Sequence, residues 1–464
     1  MRIRVLALAA GVILALAGVS AQNVPRQVSL VLSGGTVVTM DPGNRVIANG
    51  AVAIDGADIV GVDTAASIAK QFRGRETINS AGQIVLPGLI NTHTHAAMVF
   101  FRGLADDLAL SEWLNKYIFP AEAKMVSPAF VRAGTRLAAL EMIQSGTTTF
   151  ADMYYFEEEV AAATKAAGLR GVLGQTVIQF PVADAKTPAD ALVRAEAFIK
   201  TFKDDPLITP AVAPHAMYTL DGPTLKAARE LSKRYNVPTL IHLAETRDEI
   251  QAAQERYKAS PVAYLDSLGF LGPGVLGAHG VWVSDADIAV LKARSVGISH
   301  NPESNMKLAS GTAPVPAYLR ADVAIGLGTD GAASNNDLDM FEAMRFAALL
   351  HKHASEDPRA LSAHTALEMA TIRGARALGM EKRIGSLEPR KRADLITVSI
   401  NGARQTPMYD AISHLVYVIR GDDVQNTIVN GQLLMRDRKV LTLDEKAVIA
   451  EGRSWIPKVR AAVK

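Results

Sequence analysis

Cysteine is absent from all 464 residues of the sequence. That absence excludes disulfides, thiol catalysis, iron–sulfur clusters and thiolate zinc sites. It also excludes the cysteine-ligated zinc scaffold found in enzymes that act on bases of nucleic acids. Any metal ion in this protein must therefore be bound by histidine and carboxylate side chains.

The sequence also lacks a large excess of positive or negative charge. The sequence has 49 Lys and Arg against 47 Asp and Glu, a net charge of +2. Both excess positive charges, Arg2 and Arg4, lie in the first 21 residues. The remainder is neutral, so we expect no partnership with nucleic acid or with an anionic membrane. Hydrophobic residues make up 49% and charged residues 21%, which is typical of a globular protein.

Long apolar runs are confined to the beginning of the chain. Residues 1–21 combine a basic start, an apolar stretch from Val5 to Val19, and small residues up to Ala21. This pattern predicts a signal peptide that is cleaved after Ala21, with an uncleaved anchor as the alternative. We therefore expect an exported, periplasmic protein without a stable membrane partner, or a cytoplasmic one if the segment is not processed.

After this segment, both ends of the chain contain short runs in which apolar and polar residues alternate, as in β-strands. Asp55-Gly56 and Asn430-Gly431 are favourable hairpin turns between such runs. We expect residues 22–86 and 382–464 to form one small β-sandwich domain. Between them, strands alternate with helical runs over residues 87–381. This predicts an α/β fold, a (β/α)8 TIM barrel in which polar residues at strand ends form the active site.

Histidines are concentrated at the ends of the predicted barrel strands. His93 and His95 are two apart in one strand, so both side chains point to the same face. His242 ends a later strand and is the natural third nitrogen ligand, and Asp330 offers a carboxylate. Three His and one Asp leave a position for water on zinc or ferrous iron. The alternatives are ordinary hydrogen-bonded strand histidines and a helix N-cap at Asp330.

Two further residues suit acid–base chemistry near that site. Glu245 follows His242 by three residues, where it can reach the metal-bound water and move a proton. His279 ends the strand GVLGAHG and can orient the water or polarise the substrate. The alternatives are a solvated glutamate in the first turn of a helix and a structural histidine.

The motifs PGLINTHTH, HLAET, GAHG, SHNPESNMKLASG and LGTDGAASNN resemble those of the amidohydrolase superfamily. Within it the chain is most similar to the ATZ/TRZ-like aminohydrolases, and closest to the 5-methylthioadenosine/S-adenosylhomocysteine deaminase family. The resemblance implies one divalent metal ion, Zn²⁺ or Fe²⁺, on four ligands: His93, His95, His242 and Asp330. It also implies that Glu245 protonates a ring nitrogen, Asp330 accepts a proton from the attacking water, and His279 stabilises the tetrahedral adduct.

The same resemblance indicates substrate contacts. Glu122, in FPAEAKM, matches a family glutamate that binds ribose hydroxyls, for which a carboxylate is a good acceptor. His215, Ser334 and Trp113 are expected to add contacts, Trp113 on the apolar side. Gln175 stands where some members carry an arginine, and a neutral amide cannot pair with a carboxylate as arginine does. That departure removes a partner for the tail of S-adenosylhomocysteine and makes smaller thioethers or adenosine plausible substrates as well.

The sequence therefore predicts a hydrolase of C–N bonds that deaminates adenosine-type nucleosides (methylthioadenosine, S-adenosylhomocysteine or adenosine) to the inosyl product and ammonia. We also expect a homo-oligomer. Another ring, such as guanine, pterin or s-triazine, is the first alternative. A peptidase or lactonase on the same barrel is a second. A third is an inactive binding protein, although such relatives are expected to lose ligands and all four are present here.

Overall fold

A computed structural model of the chain describes residues 24–462. Eight parallel strands form a nearly closed barrel, and nine strands from both chain ends form a second sheet. The predicted TIM barrel with an accessory β module is thus confirmed.

The strands, in chain order, are β1 (Arg26–Val38), β2 (Val46–Asp55), β3 (Asp58–Thr64), β4 (Phe72–Asn79), β5 (Gln83–Pro87), β6 (Leu89–Thr94), β7 (Thr147–Tyr154), β8 (Arg170–Val177), β9 (Ile208–Pro214), β10 (Thr239–Leu243), β11 (Val275–His279), β12 (Gly297–His300), β13 (Ala324–Leu327), β14 (Leu395–Ser399), β15 (Val424–Val429), β16 (Gln432–Arg436) and β17 (Lys439–Val440).

The α-helices are α1 (Ala65–Gln71), α2 (Leu110–Glu112), α3 (Phe119–Met125), α4 (Pro128–Ser145), α5 (Glu157–Ala167), α6 (Pro188–Phe202), α7 (Gly222–Tyr235), α8 (Arg247–Tyr257), α9 (Pro261–Ser267), α10 (Asp285–Ala293), α11 (Pro302–Lys307), α12 (Val315–Arg320), α13 (Met340–Ser355), α14 (Ala363–Met369), α15 (Ile372–Ala377), α16 (Ala411–Tyr417) and α17 (Glu445–Ala462). Short 3-10 helices cover Ala96–Phe101 and Gly421–Asp423, and a π-helical turn covers Trp113–Ile118.

The accessory sheet joins the two chain ends through strand pairing. β14 pairs antiparallel with β5, and β5 in turn pairs parallel with β1. One face buries an apolar cluster that includes Leu32, Ile54 and Leu395. The alternating apolar residues of both ends therefore share one core, which explains why segments so far apart in sequence fold together.

The barrel strands follow one another in sequence order from β6 to β13. The first and last barrel strands, β6 and β13, lie next to each other. Two hydrogen bonds connect this region: Thr92 Oγ1 donates to Leu327 O at 2.8 Å, and Asp330 N donates to His93 O at 3.0 Å. Most of the barrel strands are followed by helices with side-chain caps, as where Asp221 accepts a hydrogen bond from Thr224 N at the start of α7. All strand ends that carry chemistry consequently open on one side of the barrel.

A buried ion pair connects the bottom of the barrel to the accessory sheet. Arg170, at the start of β8, donates from Nε and Nη2 to Asp394 at 2.8 and 3.2 Å. Both side chains are almost completely buried. A two-point arginine–carboxylate contact has directional geometry, so it orients the sheet against the barrel.

The prediction of export to the periplasm is wrong. No signal peptide is seen in the part of the chain that the structure describes, and within it no helix is both long and apolar enough to cross a membrane. Residues 1–21, on which the prediction was based, lie outside the described residues.

Candidate metal centre and active site

Three imidazoles converge where the barrel strands end. His93 belongs to β6, His95 follows that strand directly, and His242 belongs to β10. One nitrogen from each lies within 4.8 Å of the other two. The Nε2 atoms of His95 and His242 are only 3.3 Å apart. Nitrogen lone pairs this close repel each other unless a proton or a cation lies between them, so the arrangement suits a metal ion.

Backbone carbonyls orient two of these rings. His95 Nδ1 lies 2.7 Å from Met153 O, and His242 Nδ1 lies 2.7 Å from His215 O. Because a carbonyl only accepts, each Nδ1 carries a proton, and in the neutral ring Nε2 is then the nitrogen with the lone pair. Such outer contacts set the tautomer of metal-binding histidines.

Asp330 completes the group of donors. Its Oδ1 lies 3.4 Å from Nε2 of both His93 and His95. Its Oδ2 accepts hydrogen bonds from Ser304 at 2.7 Å and Ser334 at 3.0 Å. The backbone of Asp330 has φ of 64°, a left-handed conformation that is strained for a residue other than glycine and that clusters at functional sites.

The donor set fits a divalent metal ion. His93 Nε2 is buried and has no hydrogen-bond partner among residues 24–462, which is unfavourable unless a ligand satisfies it. Burial lowers the pKa of His93 to about 4, so the ring is neutral at pH 7, the form that binds metals. Three imidazole nitrogens and one carboxylate are the ligand types that zinc accepts. His279 lies close enough to His93 and Asp330 to extend the group.

Glu245 and His279 lie beside these donors and face each other. Glu245 Oε2 is 3.7 Å from His279 Nε2, and Ser310 Oγ is 3.4 Å from Glu245 Oε1. Burial raises the pKa of Glu245, although the nearby imidazole of His279 partly offsets the rise. His279 Nδ1 lies 2.8 Å from Asn305 Oδ1. Glu245 can therefore hold a proton closer to neutral pH than an exposed glutamate.

Glu249 positions the loop that carries Glu245, a role that sequence reasoning missed. Its two carboxylate oxygens accept hydrogen bonds from the backbone N–H groups of Ala244 at 3.0 Å and Glu245 at 2.8 Å. Ala244 has φ of 50°, so this turn depends on outside support. HLAETRDE places a glutamate four residues after Glu245, but only the fold reveals that its side chain turns back to the loop.

We expect Glu249→Gln to lower kcat by about 10- to 100-fold without loss of metal. An amide is neutral and has one accepting oxygen, so one of the two backbone N–H groups faces an NH2 group and loses its acceptor, at about 1.5–3 kcal/mol. Steady-state rates and metal content per subunit measure this. An unchanged kcat would mean that the loop holds Glu245 without Glu249.

A cavity beside the donors is lined by several of the predicted substrate contacts. Glu122, His215 and Trp113 all line it, as do Tyr154 and Tyr218, which sequence reasoning did not single out. Tyr154 Oη donates to Glu122 Oε1 at 2.7 Å. Burial raises the pKa of Glu122 to about 7. His215 Nδ1 is 3.0 Å from Thr219 Oγ1.

Two predicted substrate contacts are not among the residues that line this cavity. Gln175 is buried, and its Nε2 donates to Asp184 at 2.8 Å and to Thr176 O at 3.3 Å. Ser334 is also buried, and its hydroxyl donates to Asp330 Oδ2 at 3.0 Å. Neither side chain points into the cavity. The direction of a side chain near a strand end depends on its packing, and the position in the sequence does not define it.

Residues 84–434 match the amidohydrolase family. The chain belongs to the amidohydrolase family. A 5-methylthioadenosine/S-adenosylhomocysteine deaminase of Syntrophobacter fumaroxidans is 48% identical to this amidohydrolase over 424 residues, which cover 91% of this chain and 97% of the relative. A 5′-deoxyadenosine deaminase of Methanosarcina mazei is 44% identical over 438 residues, covering 94% and 99%.

A solved structure is also similar over most of its length. The structure of an adenosine deaminase from Xanthomonas campestris with bound zinc has a TM-score of 0.93 and 38% identity, and the match covers 94% of this amidohydrolase and 100% of that chain. The predicted resemblance is thus confirmed, and the protein is a hydrolase of a metal-dependent superfamily.

Proposed function

We propose that this amidohydrolase deaminates adenosine-type nucleosides by hydrolysis, releasing the inosyl product and ammonia. The observation that carries the proposal is the pair of buried carboxyl groups, Glu245 and Glu122, in the cavity beside the metal donors. Glu245 can donate a proton to the purine ring, and Glu122 can accept hydrogen bonds from the ribose. Relatives 43–48% identical to the chain are named methylthioadenosine/S-adenosylhomocysteine or 5′-deoxyadenosine deaminases, which supports the same reaction.

The metal-binding residues in this proposal are His93, His95, His242 and Asp330, and the metal is zinc. The zinc in the similar adenosine deaminase structure and the three-nitrogen, one-oxygen donor set support that choice. When bound, such an ion supplies Lewis acidity and lowers the pKa of a coordinated water from 15.7 to about 7.

Glu245 is the proton donor to the purine ring in this proposal. Water adds poorly to an aromatic C–NH2 carbon, because addition disrupts the ring and ammonia is a poor leaving group. A proton delivered to the ring nitrogen makes the carbon electrophilic, and such acid–base steps contribute about 10²–10⁴-fold. Asp330 accepts the proton of the attacking water, and His279, 3.7 Å from Glu245, stabilises the developing oxyanion.

Glu122 accepts hydrogen bonds from the ribose hydroxyls in this proposal. Its carboxylate is buried, and Tyr154 Oη is its only side-chain partner among residues 24–462, so one oxygen remains for the nucleoside. Trp113 contributes an apolar wall. A site that satisfies hydroxyls with a buried carboxylate discriminates strongly against ligands that lack them.

Ammonia release from a substrate panel tests the proposal. The zinc-loaded protein is incubated with adenosine, 5′-deoxyadenosine, methylthioadenosine, S-adenosylhomocysteine, guanine and an s-triazine. We expect ammonia from the adenosine-type nucleosides. Release from guanine or the triazine alone would overturn the proposal in favour of another heterocycle, and no release from any of them would indicate a binding protein.

Substrate affinity is expected to depend on pH through Glu122. Because burial raises the pKa of Glu122 to about 7, the carboxylate becomes protonated as pH falls from 8 to 6, and KM for the nucleoside should rise. Glu122→Gln should raise KM by about 10- to 100-fold at pH 8, the cost of losing hydrogen bonds to a charged group, and should flatten that pH dependence.

Glu112→Gln is the matched control, since Glu112 lies earlier in the same helical stretch and pairs with Lys116 at the surface. Its KM should follow that of the unmodified protein at each pH. A KM that rises toward low pH in the Glu122→Gln variant as well would show that another group is responsible.

A further inference from the structure

A second, larger cavity adjoins the one at the metal donors. It has a volume of about 550 Å³ and is called here the outer chamber. Five residues line both cavities: Leu110, Leu114, Phe119, Tyr218 and Leu308. The outer chamber therefore lies directly beside the cavity at the metal donors, within reach of a ligand that extends past these side chains.

Arg247 is the single cationic residue among the described residues that line the outer chamber. Its guanidinium lies 4.2 Å from the centre of the Trp282 ring, and Trp282 is fixed by a hydrogen bond from Nε1 to Ser310 O at 2.6 Å. Within residues 24–462 no carboxylate oxygen lies within 4 Å of its nitrogens. The contact with the ring face holds the guanidinium in place, and its N–H groups stay available for a ligand.

The polarity of the outer chamber suits a zwitterion. Asp248, next to Arg247 at the start of α8, also lines it and is exposed. Glu249 is the other charged lining residue, but its carboxylate is committed to two backbone N–H groups. The chamber thus offers one cation and one accessible anion beside apolar side chains such as Phe119 and Phe180.

We propose that Arg247 is a specificity-determining residue that binds the carboxylate of a nucleoside whose 5′ substituent ends in an amino acid. The inference rests on the proposed function. With the purine at the metal donors and the ribose at Glu122, the 5′ substituent is the part of the substrate that extends into the outer chamber. There the arginine fork pairs with the carboxylate, and Asp248 faces the ammonium group. Gln175 takes no part, since it is buried against Asp184.

Kinetics with two thioethers test this inference. S-adenosylhomocysteine carries the amino-acid tail, whereas methylthioadenosine ends in a neutral methyl group. We expect Arg247→Gln to lower kcat/KM for S-adenosylhomocysteine by about 10- to 100-fold, through KM, and to change the value for methylthioadenosine less than about twofold. Arg247→Lys keeps the charge without the planar fork and should fall between the two.

Arg256→Gln is the matched control. Arg256 lies on the same helix and also stacks on an aromatic ring, at 5.2 Å from Tyr257, but it is exposed and outside the chamber. Both substrates should be deaminated by this variant at unchanged rates.

Three results would overturn the inference while the proposed function stands. They are an equal loss for both thioethers in Arg247→Gln, no change for either, and an unmodified enzyme that deaminates methylthioadenosine but not S-adenosylhomocysteine. If the unmodified protein deaminates no adenosine-type nucleoside at all, the proposed function fails and this inference fails with it.

Discussion

Asp330→Asn is expected to abolish both metal retention and deamination. The amide keeps the size of the side chain but removes the negative charge that lies 3.4 Å from His93 and His95. Metal-ion catalysis supplies several kcal/mol, and each 1.36 kcal/mol corresponds to tenfold in rate. We therefore expect a fall in kcat/KM on the order of 10³-fold or more. Metal content per subunit and ammonia release measure the two losses.

Two further variants make this result specific. Ser334→Ala removes one hydrogen bond to Asp330 Oδ2 but leaves the carboxylate, so it should weaken metal retention by about 10- to 100-fold, the effect usual for outer contacts of a metal ligand. Asp266→Asn removes a surface partner of Arg294 and should leave both readouts unchanged. An Asp330→Asn protein with full metal content and full rate would refute the assignment.

Glu245→Gln is expected to keep the metal and lose most turnover. Glutamine preserves the shape of the side chain but cannot donate a proton to the ring nitrogen, so kcat should fall by about 10²–10⁴-fold. KM should change little, because the purine is still held by the same walls. Single-turnover rates with metal-loaded protein distinguish a slow chemical step from slow product release.

Glu255→Gln serves as the control for that variant. Glu255 is an exposed glutamate on α8, within the same part of the barrel, and its side chain accepts a hydrogen bond from Gln251. Its replacement should not affect kcat. A fully active Glu245→Gln protein would show that another group delivers the proton, and a loss of bound metal would show that Glu245 acts on the metal site instead.

Local patterns in the sequence were enough to single out the four candidate metal-binding residues, which the fold then brings together. His93 and His95 share a face because strand side chains alternate. Their common location with His242 and Asp330 follows from a rule of the fold, since parallel barrel strands all end on one side. The same rule brought His279 and Glu245 to that side, where they lie 3.7 Å apart.

The substrate side of the site was less predictable. Glu122 and Tyr154 are 32 positions apart in sequence and meet only because a helix and a barrel strand pack together. Gln175 lies at the expected strand end but turns toward Asp184. Export was predicted wrongly, from the order of basic, apolar and small residues in a segment that lies outside the described part of the chain.

By itself the sequence determined which side chains can bind a metal, because without cysteine only histidine and carboxylate remain. It also determined that His93 and His95 lie on the same face, because side chains alternate along a strand. The tertiary structure alone decided which polar side chains face the cavity and which support others, as Glu249 supports the loop of Glu245. It also placed Arg247 on Trp282 at the edge of the outer chamber. The physical reason is that side-chain direction and contacts between distant segments depend on packing, which no local pattern of residues encodes.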